Sequence, residues 1–257
     1  MSLIKFSVFQ IFLLSFLFTH GQQISVSDSL SNTKILLRKE QSGFAMIHTS
    51  GFGFGYRNGT HITGYKKRMF EFEITGMKNP KEIRVSSLYP SVQGYPDPKS
   101  YIYGKENAFF ILRGGIGKQK IINSKPYWGG VELRYFYYGG LSLGILKPIY
   151  LYIYDLQDTL GNPISIQRYN PAIHTADNIY GRAPFFEGFN KISLMPGIYF
   201  KTGLNFEYGA SDKTLKAIEA GIAVDIYTKD VPIMAYTNNK NYFVSLYLSF
   251  HLGSRGN

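Results

Sequence analysis

The feature that most constrains this chain is a strict alternation of apolar side chains with glycines and with small or charged polar side chains. It is clearest from Val131 to Ile145, where apolar and tyrosine side chains take odd-numbered positions, whereas Glu132 and Arg134 take even-numbered ones. A period of two residues places each set on its own face of a β-strand. We interpret this stretch as a β-hairpin that turns at Gly139-Gly140 and has one wholly apolar face.

Several other stretches alternate in the same way and predict an all-β chain. From Phe44 to Tyr56 the large side chains lie at even positions and the glycines at odd ones, so we expect large residues to face outward and small ones inward. Asn58-Gly59 is typical of a two-residue hairpin turn. Counting these stretches gives about eight antiparallel strands. The further predicted strands are 61–75, 103–117, 141–154, 194–208, 218–226 and 242–252.

The amino-terminal residues predict export. A charge at Lys5, an apolar run from residue 4 to 18 and a small-residue site before Gln22 form the pattern of a secretory signal peptide. No later segment reaches the roughly 18–20 consecutive apolar residues that a spanning helix needs. If this exported chain crosses a membrane, a closed β-barrel is the structure that satisfies its backbone groups. The predicted parts are a signal peptide (1–21), a periplasmic lead-in (22–40) and an outer-membrane β-barrel (41–257).

Composition narrows the classes of function. The chain has 257 residues, no cysteine and a formal net charge of +11. Without cysteine there is no disulfide framework, no thiol nucleophile and no lipoprotein attachment site. Because no recognisable nucleic-acid module accompanies the export signal, we do not expect nucleic acid as a partner. The positive charge instead suits contact with phosphate-rich outer-membrane lipid and lipopolysaccharide.

The polar face distinguishes a membrane barrel from a soluble lipocalin-like barrel or a β-sandwich, in which side chains also alternate. A soluble barrel would carry lysine and glutamate along its whole water-facing side. Here the polar face mixes glycine, tyrosine and serine with single charges of both signs, which survive in a narrow lumen only when they are paired. We therefore predict a closed antiparallel transmembrane β-barrel whose lumen is too narrow for a solute channel. The predicted lumen charge network is Lys67, Glu71, Glu73, Arg113, Glu132, Arg134, Lys201, Glu207, Glu219 and Asp225.

One segment carries a family resemblance. Tyr103-Gly104-Lys105-Glu106-Asn107, followed by Phe109–Arg113 and Gly115-Ile116-Gly117, resembles a segment of small outer-membrane β-barrel proteins of Bacteroidota. The predicted last strand, which ends on Phe250 and Leu252, is similar to the terminal strand by which such barrels are recognised for insertion. The resemblance covers most of the mature chain and implies the size class of PorT-like and OmpA-type barrels, which includes accessory subunits of envelope machines. It implies no particular activity.

Three long connections interrupt the predicted strands. With the amino terminus in the periplasm, strand alternation places 155–190 and 228–240 outside and 77–100 in the periplasm. Asp28-Ser29-Leu30 and Asp158-Thr159-Leu160 resemble an O-glycosylation sequon of Bacteroidota, which would modify Ser29 and Thr159. Ordinary surface loops explain both short matches equally well.

The expected function is that of a non-enzymatic structural or accessory subunit of an outer-membrane complex for protein or lipid export or assembly, with other outer-membrane or periplasmic proteins as partners. In that view 77–100 docks the partner. One alternative is a lipid-A-modifying enzyme with Ser50 as nucleophile and His48 as base on the outer wall, although no orienting acid can be assigned. A structural role of His48, either turned inward by a bulge or buried by a partner at its strand level, explains the same pattern. Another alternative is a binding or adhesion barrel that uses 155–190. The remaining histidines lack metal-site spacing, so we expect no metal and no cofactor.

Overall fold

The computed structural model describes residues 39–125, 130–154, 163–208 and 213–256. They belong to the second of two units into which the chain divides, and this unit begins at Ile35. The predicted signal peptide, most of the predicted lead-in and the predicted glycosylation sites Ser29 and Thr159 lie outside the described residues. The first described strand begins at Lys39, just before the predicted barrel boundary at residue 41.

Eight of the described strands pair antiparallel and close into a barrel, which confirms the predicted fold class and strand count. In chain order the strands are β1 (Lys39–His48), β2 (Gly51–Thr63), β3 (Lys66–Met77), β4 (Arg84–Val85), β5 (Tyr101–Ile102), β6 (Asn107–Asn123), β7 (Glu132–Pro148), β8 (Tyr150–Tyr154), β9 (Ile164–Arg168), β10 (Ile179–Arg182), β11 (Ser193–Glu207), β12 (Thr214–Tyr227) and β13 (Tyr242–Gly256). The barrel order is β1-β13-β12-β11-β7-β6-β3-β2, while β10-β8-β9 and β4-β5 form two small sheets.

The predicted hairpin at 131–145 is wrong, because β7 runs as one strand through Gly139-Gly140. Gly140 pairs with Gly115 of β6 and with Tyr199 of β11. A Cβ on Gly140 would lie only 2.2 Å from the carbonyl oxygen of Gly114. These glycines therefore allow close approach of neighbouring strands and do not form a turn.

The predicted strand at 44–56 is also wrong, because the chain turns at Thr49-Ser50 and forms the β1–β2 hairpin there. Asn58-Gly59 lies inside β2 and is not a turn. The even-numbered residues change face across this turn, so Phe44 and Met46 point inward and Phe52 points outward. The prediction joined β1 and β2 into one strand and divided β7 into two, so the predicted total was still eight.

The distribution of carboxylates distinguishes the two faces of the barrel wall. Within the described strands, every carboxylate lies on the inner face, whereas the outer face carries an apolar belt. Among the described residues, no helix is long and apolar enough to span a membrane. Outward-facing residues of the belt include Ile47, Phe52, Phe54, Phe70, Phe72, Ile116, Leu141, Leu194, Ile198, Phe200, Val244, Leu246 and Leu248.

The connections differ sharply between the two ends of the barrel. The end that holds Lys39 and Gly256, here called the base, carries the connections at 64–65, 124–131 and 208–213. The opposite end, here called the loop end, carries the short turn at 49–50 and all three long connections. The placement of 77–100 opposite the other long loops is therefore wrong. The missed turn at Thr49-Ser50 reversed the predicted directions of the strands that follow it, and the false turn at Gly139-Gly140 restored them for the later strands. The three long connections are 78–106, 149–192 and 228–241.

Candidate functional site: an ion-paired interior and an ordered loop end

A chain of ion pairs crosses the middle of the barrel interior. Arg57 on β2 donates to Glu71 on β3 and to Glu219 on β12, with distances of 2.9 Å from Nε to Glu71 Oε2 and from Nη2 to Glu219 Oε2. Lys201 on β11 then joins Glu71 to Glu73, with its Nζ 2.7 and 2.8 Å from their carboxylate oxygens. All five side chains are buried, so pairing offsets the cost of removing their charges from water.

The same series of ion pairs continues toward the loop end through Arg113. Its guanidinium donates to both carboxylate oxygens of Asp225, at 2.8 and 2.6 Å, and also to Glu73. Bidentate guanidinium–carboxylate pairs fix geometry as well as charge. At the opposite end of this series of ion pairs, Asn205 donates to Glu219 at 2.8 Å, and His251 Nε2 lies 3.2 Å from the same carboxylate. The central network therefore links six barrel strands: β2, β3, β6, β11, β12 and β13.

A second ion-pair cluster lies nearer the base. Glu40 accepts from Lys67 at 2.5 Å and from Arg255 at 2.9 Å. Arg255 also donates to Glu207 at 2.5 Å, and this carboxylate lies 3.7 Å from Arg134. Three acids thus face three bases, so the cluster is formally neutral. It comprises Glu40, Lys67, Glu132, Arg134, Glu207 and Arg255.

Aromatic rings fill the space around the central pairs. The Arg57 guanidinium lies 4.9 Å from the ring centre of Tyr138 and 5.5 Å from that of Phe44. Lys201 Nζ lies 4.8 Å from the ring centre of Tyr247. Inner-face glycines make room for these rings: a Cβ on Gly55 would lie 2.3 Å from the Phe44 ring. The interior is therefore filled by its own side chains, as expected for a barrel of this size.

The structure places all ten residues of the predicted charge network on the inner face and brings them into the two clusters. Sequence reasoning missed five further residues that contact the network: Glu40, Arg57, His61, His251 and Arg255. Arg57 was overlooked because it adjoins the misassigned Asn58-Gly59 turn. Arg57 lies at an odd-numbered position, as Gly53 and Gly55 do, and this alternation indicates that its side chain faces inward.

His48 and Ser50 do not form an outer-wall pair. His48 faces the interior at the end of β1, while Ser50 lies in the β1–β2 turn. The His48 Nδ1 atom accepts from the backbone N–H of Ser50 at 3.3 Å, so the ring closes the turn. This geometry does not direct the ring toward the serine hydroxyl as a base. Within the described ranges, no group of three or more His, Asp or Glu side chains is arranged to hold a metal ion.

The loop end of the lumen is closed by the connection between β12 and β13. Val231, Ile233 and Met234 are buried against Phe109 and Tyr227 of the barrel wall. The backbone of this connection also pairs with the 78–106 connection, where Glu106 N–H donates to the carbonyl of Ile233 at 3.0 Å. The loops at this end therefore pack as an extension of the core.

The long connection after β7 folds into its own three-stranded sheet. Leu151, Ile153 and Ile179 of this sheet are buried together with Tyr101 of the 78–106 connection. Arg182 N–H donates to the carbonyl of Lys99 at 3.1 Å, which ties the two connections through their backbones. The predicted loop 155–190 is thus ordered in its described part, 163–190, although residues 155–162 lie outside the described residues.

A cleft of about 540 Å³ opens where these connections meet the outer wall. The residues that line it include apolar Phe52, Phe110 and Ile149 and cationic Arg84 and Arg182. Lys147 also lines the cleft, although its side chain is only 3% exposed, and its Nζ lies 5.1 Å from the ring centre of Phe185. The cleft therefore combines apolar side chains with charged ones, most of them cationic.

Three phenylalanines form an exposed cluster beside this cleft. Phe185, Phe186 and Phe189 contact one another with ring centres 5.5 to 6.0 Å apart. Phe186 is 81% exposed. Exposed aromatic clusters on ordered loops are typical of binding surfaces.

The closed eight-stranded barrel, with its apolar outer wall and its ion-paired interior, defines the class of the protein as a small closed antiparallel β-barrel. No protein-family model and no curated protein matches the chain. Solved structures do match it in part. Neisserial surface protein A is 12% identical with a TM-score of 0.40, and the match covers 84% of this chain and 96% of that one. Ail, the attachment invasion locus protein of Yersinia pestis, solved with the heparin analogue sucrose octasulfate, is 10% identical with a TM-score of 0.39, covering 84% and 96%. The N-terminal barrel domain of Pseudomonas aeruginosa OprF is 9% identical with a TM-score of 0.33, covering 83% and 96%.

Proposed function

We propose that this protein is an integral outer-membrane β-barrel that presents an ordered binding surface outside the cell. The observation that carries the proposal is the gathering of all three long connections at one end, where they fold together over the closed mouth of the barrel. In outer-membrane barrels, short turns face the periplasm and long loops face outward. The base is therefore periplasmic in this proposal, and the loop end is exposed.

The membrane location is supported by the two faces of the wall. Outward-facing phenylalanine, leucine and isoleucine side chains would be costly in water, whereas lipid accepts them. The acids instead lie inside, where they meet arginine and lysine. A soluble barrel would place its charges on the opposite face.

Cell fractionation combined with surface labelling tests location and orientation together. A cysteine introduced at Phe186 and one introduced at Tyr65, in the β2–β3 turn at the base, form a matched pair because the chain has no native cysteine. In intact cells an impermeant maleimide should label the Phe186→Cys variant and not the Tyr65→Cys variant. The reverse labelling, or recovery of the protein in the soluble fraction, would contradict the proposal.

The second candidate function is the accessory subunit expected from the sequence. The exposed cluster of Phe185, Phe186 and Phe189 favours it, since such a cluster suits burial against a partner protein. Purification in mild detergent should then recover a stoichiometric partner with the wild-type chain and lose it when the three phenylalanines are changed to serine. Recovery of the monomer alone from the wild type would favour the binding barrel without a resident partner.

The proposed function is non-enzymatic. His48 points into the interior and its Nδ1 atom is engaged by the β1–β2 turn, which supports the absence of a serine–histidine pair on the outer wall. Lipid A mass spectra should be the same from cells that carry the wild type and cells that carry His48→Ala. The resemblance to Bacteroidota barrels remains a prediction.

A further inference from the structure

The outer wall of the barrel carries an unusual set of basic side chains near the base. Lys66 and Arg68 lie on β3, and Lys118 and Lys120 lie on β6; all four are exposed on the outer face. In the sheet register Lys66 is directly opposite Lys120, and Arg68 is directly opposite Lys118. We call these four residues the cationic square.

This arrangement is costly without an anionic partner. Directly opposed like charges destabilise a strand pair, and here two such pairs are consecutive on one face. Within the described part of the chain, none of the four cations has a carboxylate within ion-pair distance. On the inner face of the same strands, by contrast, the cations Lys67 and Arg113 are paired with carboxylates.

The surroundings of the square are those of a membrane interface. On the side toward the loop end, the next outward pair is Phe70 and Ile116, which belongs to the apolar belt. On β7, Tyr137 is opposite Lys118 and Tyr135 is opposite Lys120, and both tyrosines are exposed. Tyrosine beside basic residues at the edge of an apolar belt is typical of the level of lipid headgroups.

The spacing of the four side chains in the cationic square suits a single phosphate group. Opposed Cβ atoms in a sheet lie about 4.5–5.5 Å apart and diagonal ones about 7–8 Å apart. Four flexible cationic side chains can therefore converge on one anion, with the guanidinium of Arg68 able to contact two phosphate oxygens at once. An acyl chain of the same ligand would then lie along Phe70 and Ile116.

We infer that the cationic square binds the phosphate headgroup of an anionic glycerophospholipid in the periplasmic leaflet. The inference rests on the proposed membrane location and orientation, which place the base at that leaflet. Lipid would make the two opposed cation pairs stabilising by supplying the charge that the protein lacks there.

The test uses the full chain, folded and purified in a neutral detergent, with native mass spectrometry as the readout. Phosphatidylglycerol and phosphatidylcholine with identical acyl chains are added in parallel, together with arms containing inorganic phosphate or lipopolysaccharide. The square variant is Lys66→Gln with Lys118→Gln, which removes one cation from each opposed pair. The matched control is Lys39→Gln with Lys216→Gln, which removes two outward lysines at the base that face no opposed cation.

The wild type and the control should bind phosphatidylglycerol in preference to phosphatidylcholine, and the square variant should bind it roughly tenfold more weakly or worse. The square variant should fold at least as stably in neutral detergent, because its like-charge repulsion is relieved. Equal binding of the two lipids by the wild type, equal losses in both variants, equal occupancy by inorganic phosphate or preferential binding of lipopolysaccharide would each overturn the inference. Fractionation outside the outer membrane would overturn the proposed location, a separate result from the lipid measurement.

Discussion

At the scale of single residues, Arg57 holds the interior together. It bridges Glu71 and Glu219 across the barrel and is enclosed by Phe44 and Tyr138. A buried charge that loses its partner is costly, because neither water nor another ion replaces the lost contact.

Replacing Arg57 with Met should lower the free energy of unfolding by about 3–5 kcal/mol, since Glu219 then loses its arginine and Glu71 retains only Lys201. Urea unfolding in lipid vesicles, followed by heat-modifiable migration, measures the change. Lys216→Met is the control, because this lysine faces outward on the same strand as Glu219. Equal stability of the two variants would refute the structural role of Arg57.

His174 provides a residue-level effect of pH in the loop region. Its Nδ1 accepts from the backbone N–H of Asn170 at 3.0 Å, and its Nε2 lies 3.2 Å from Gln167 Oε1. Burial lowers the pKa of His174 below its ordinary value of about 6.5. The neutral ring is therefore the form that fits the loop.

Because this pKa is lower in the folded loop than in the unfolded one, the contribution of His174 to stability is present above about pH 6.5 and is lost as the pH falls toward the folded-state pKa. Hydrogen exchange of residues 164–182 should therefore be faster at pH 5.5 than at pH 7.5, after correction for intrinsic rates. In a His174→Gln variant the difference should vanish. The same acid-induced increase in both proteins would assign the effect to another group.

At the scale of elements, glycine positions govern how closely the strands and rings approach. Gly117 on β6 faces inward, and a Cβ there would lie 2.4 Å from both the Tyr138 ring and the Tyr137 carbonyl oxygen. Gly114 on the same strand faces outward, and a Cβ there would meet no atom within 4 Å. The two positions form a matched pair for testing the packing of the lumen.

Gly117→Ala should cost about 1–3 kcal/mol of stability, because the added methyl group forces Tyr138 or the backbone to move. Gly114→Ala should be close to neutral. Thermal unfolding of the two variants in the same detergent measures the difference. If both variants unfold with the wild type, the interior is looser than the structure shows.

At the scale of the whole molecule, the barrel is closed in three ways. Ion pairs and aromatic rings fill its middle, a second ion-pair cluster lies near the base, and Val231, Ile233 and Met234 cover the loop end. These layers leave the outer wall and the loop end as the surfaces available to partners.

The wild-type protein should therefore show no steady ion conductance in planar lipid bilayers at neutral pH. A porin reconstituted by the same procedure serves as the positive control. Stepwise channels that depend on the concentration of added protein would contradict the packed interior.

The sequence by itself predicted a closed barrel of strands and the face that holds the acids, whereas the count of eight came from two errors, at 44–56 and at 131–145, that cancelled. Alternation with a period of two is a local property, so it is visible without knowledge of strand pairing. The positions of the turns were predicted less well from the sequence. The turn at Thr49-Ser50 and the continuous β7 were misassigned because glycine serves both turns and close strand contacts.

Only the tertiary structure decided which charges meet. Arg57 and Glu219 are separated by 162 positions in sequence and come together through the closure of the barrel. The register between β3 and β6 likewise decided that Lys66 faces Lys120 and Arg68 faces Lys118 on the outer wall. Pairing across strands depends on register and strand order, and a period of two carries no information about either.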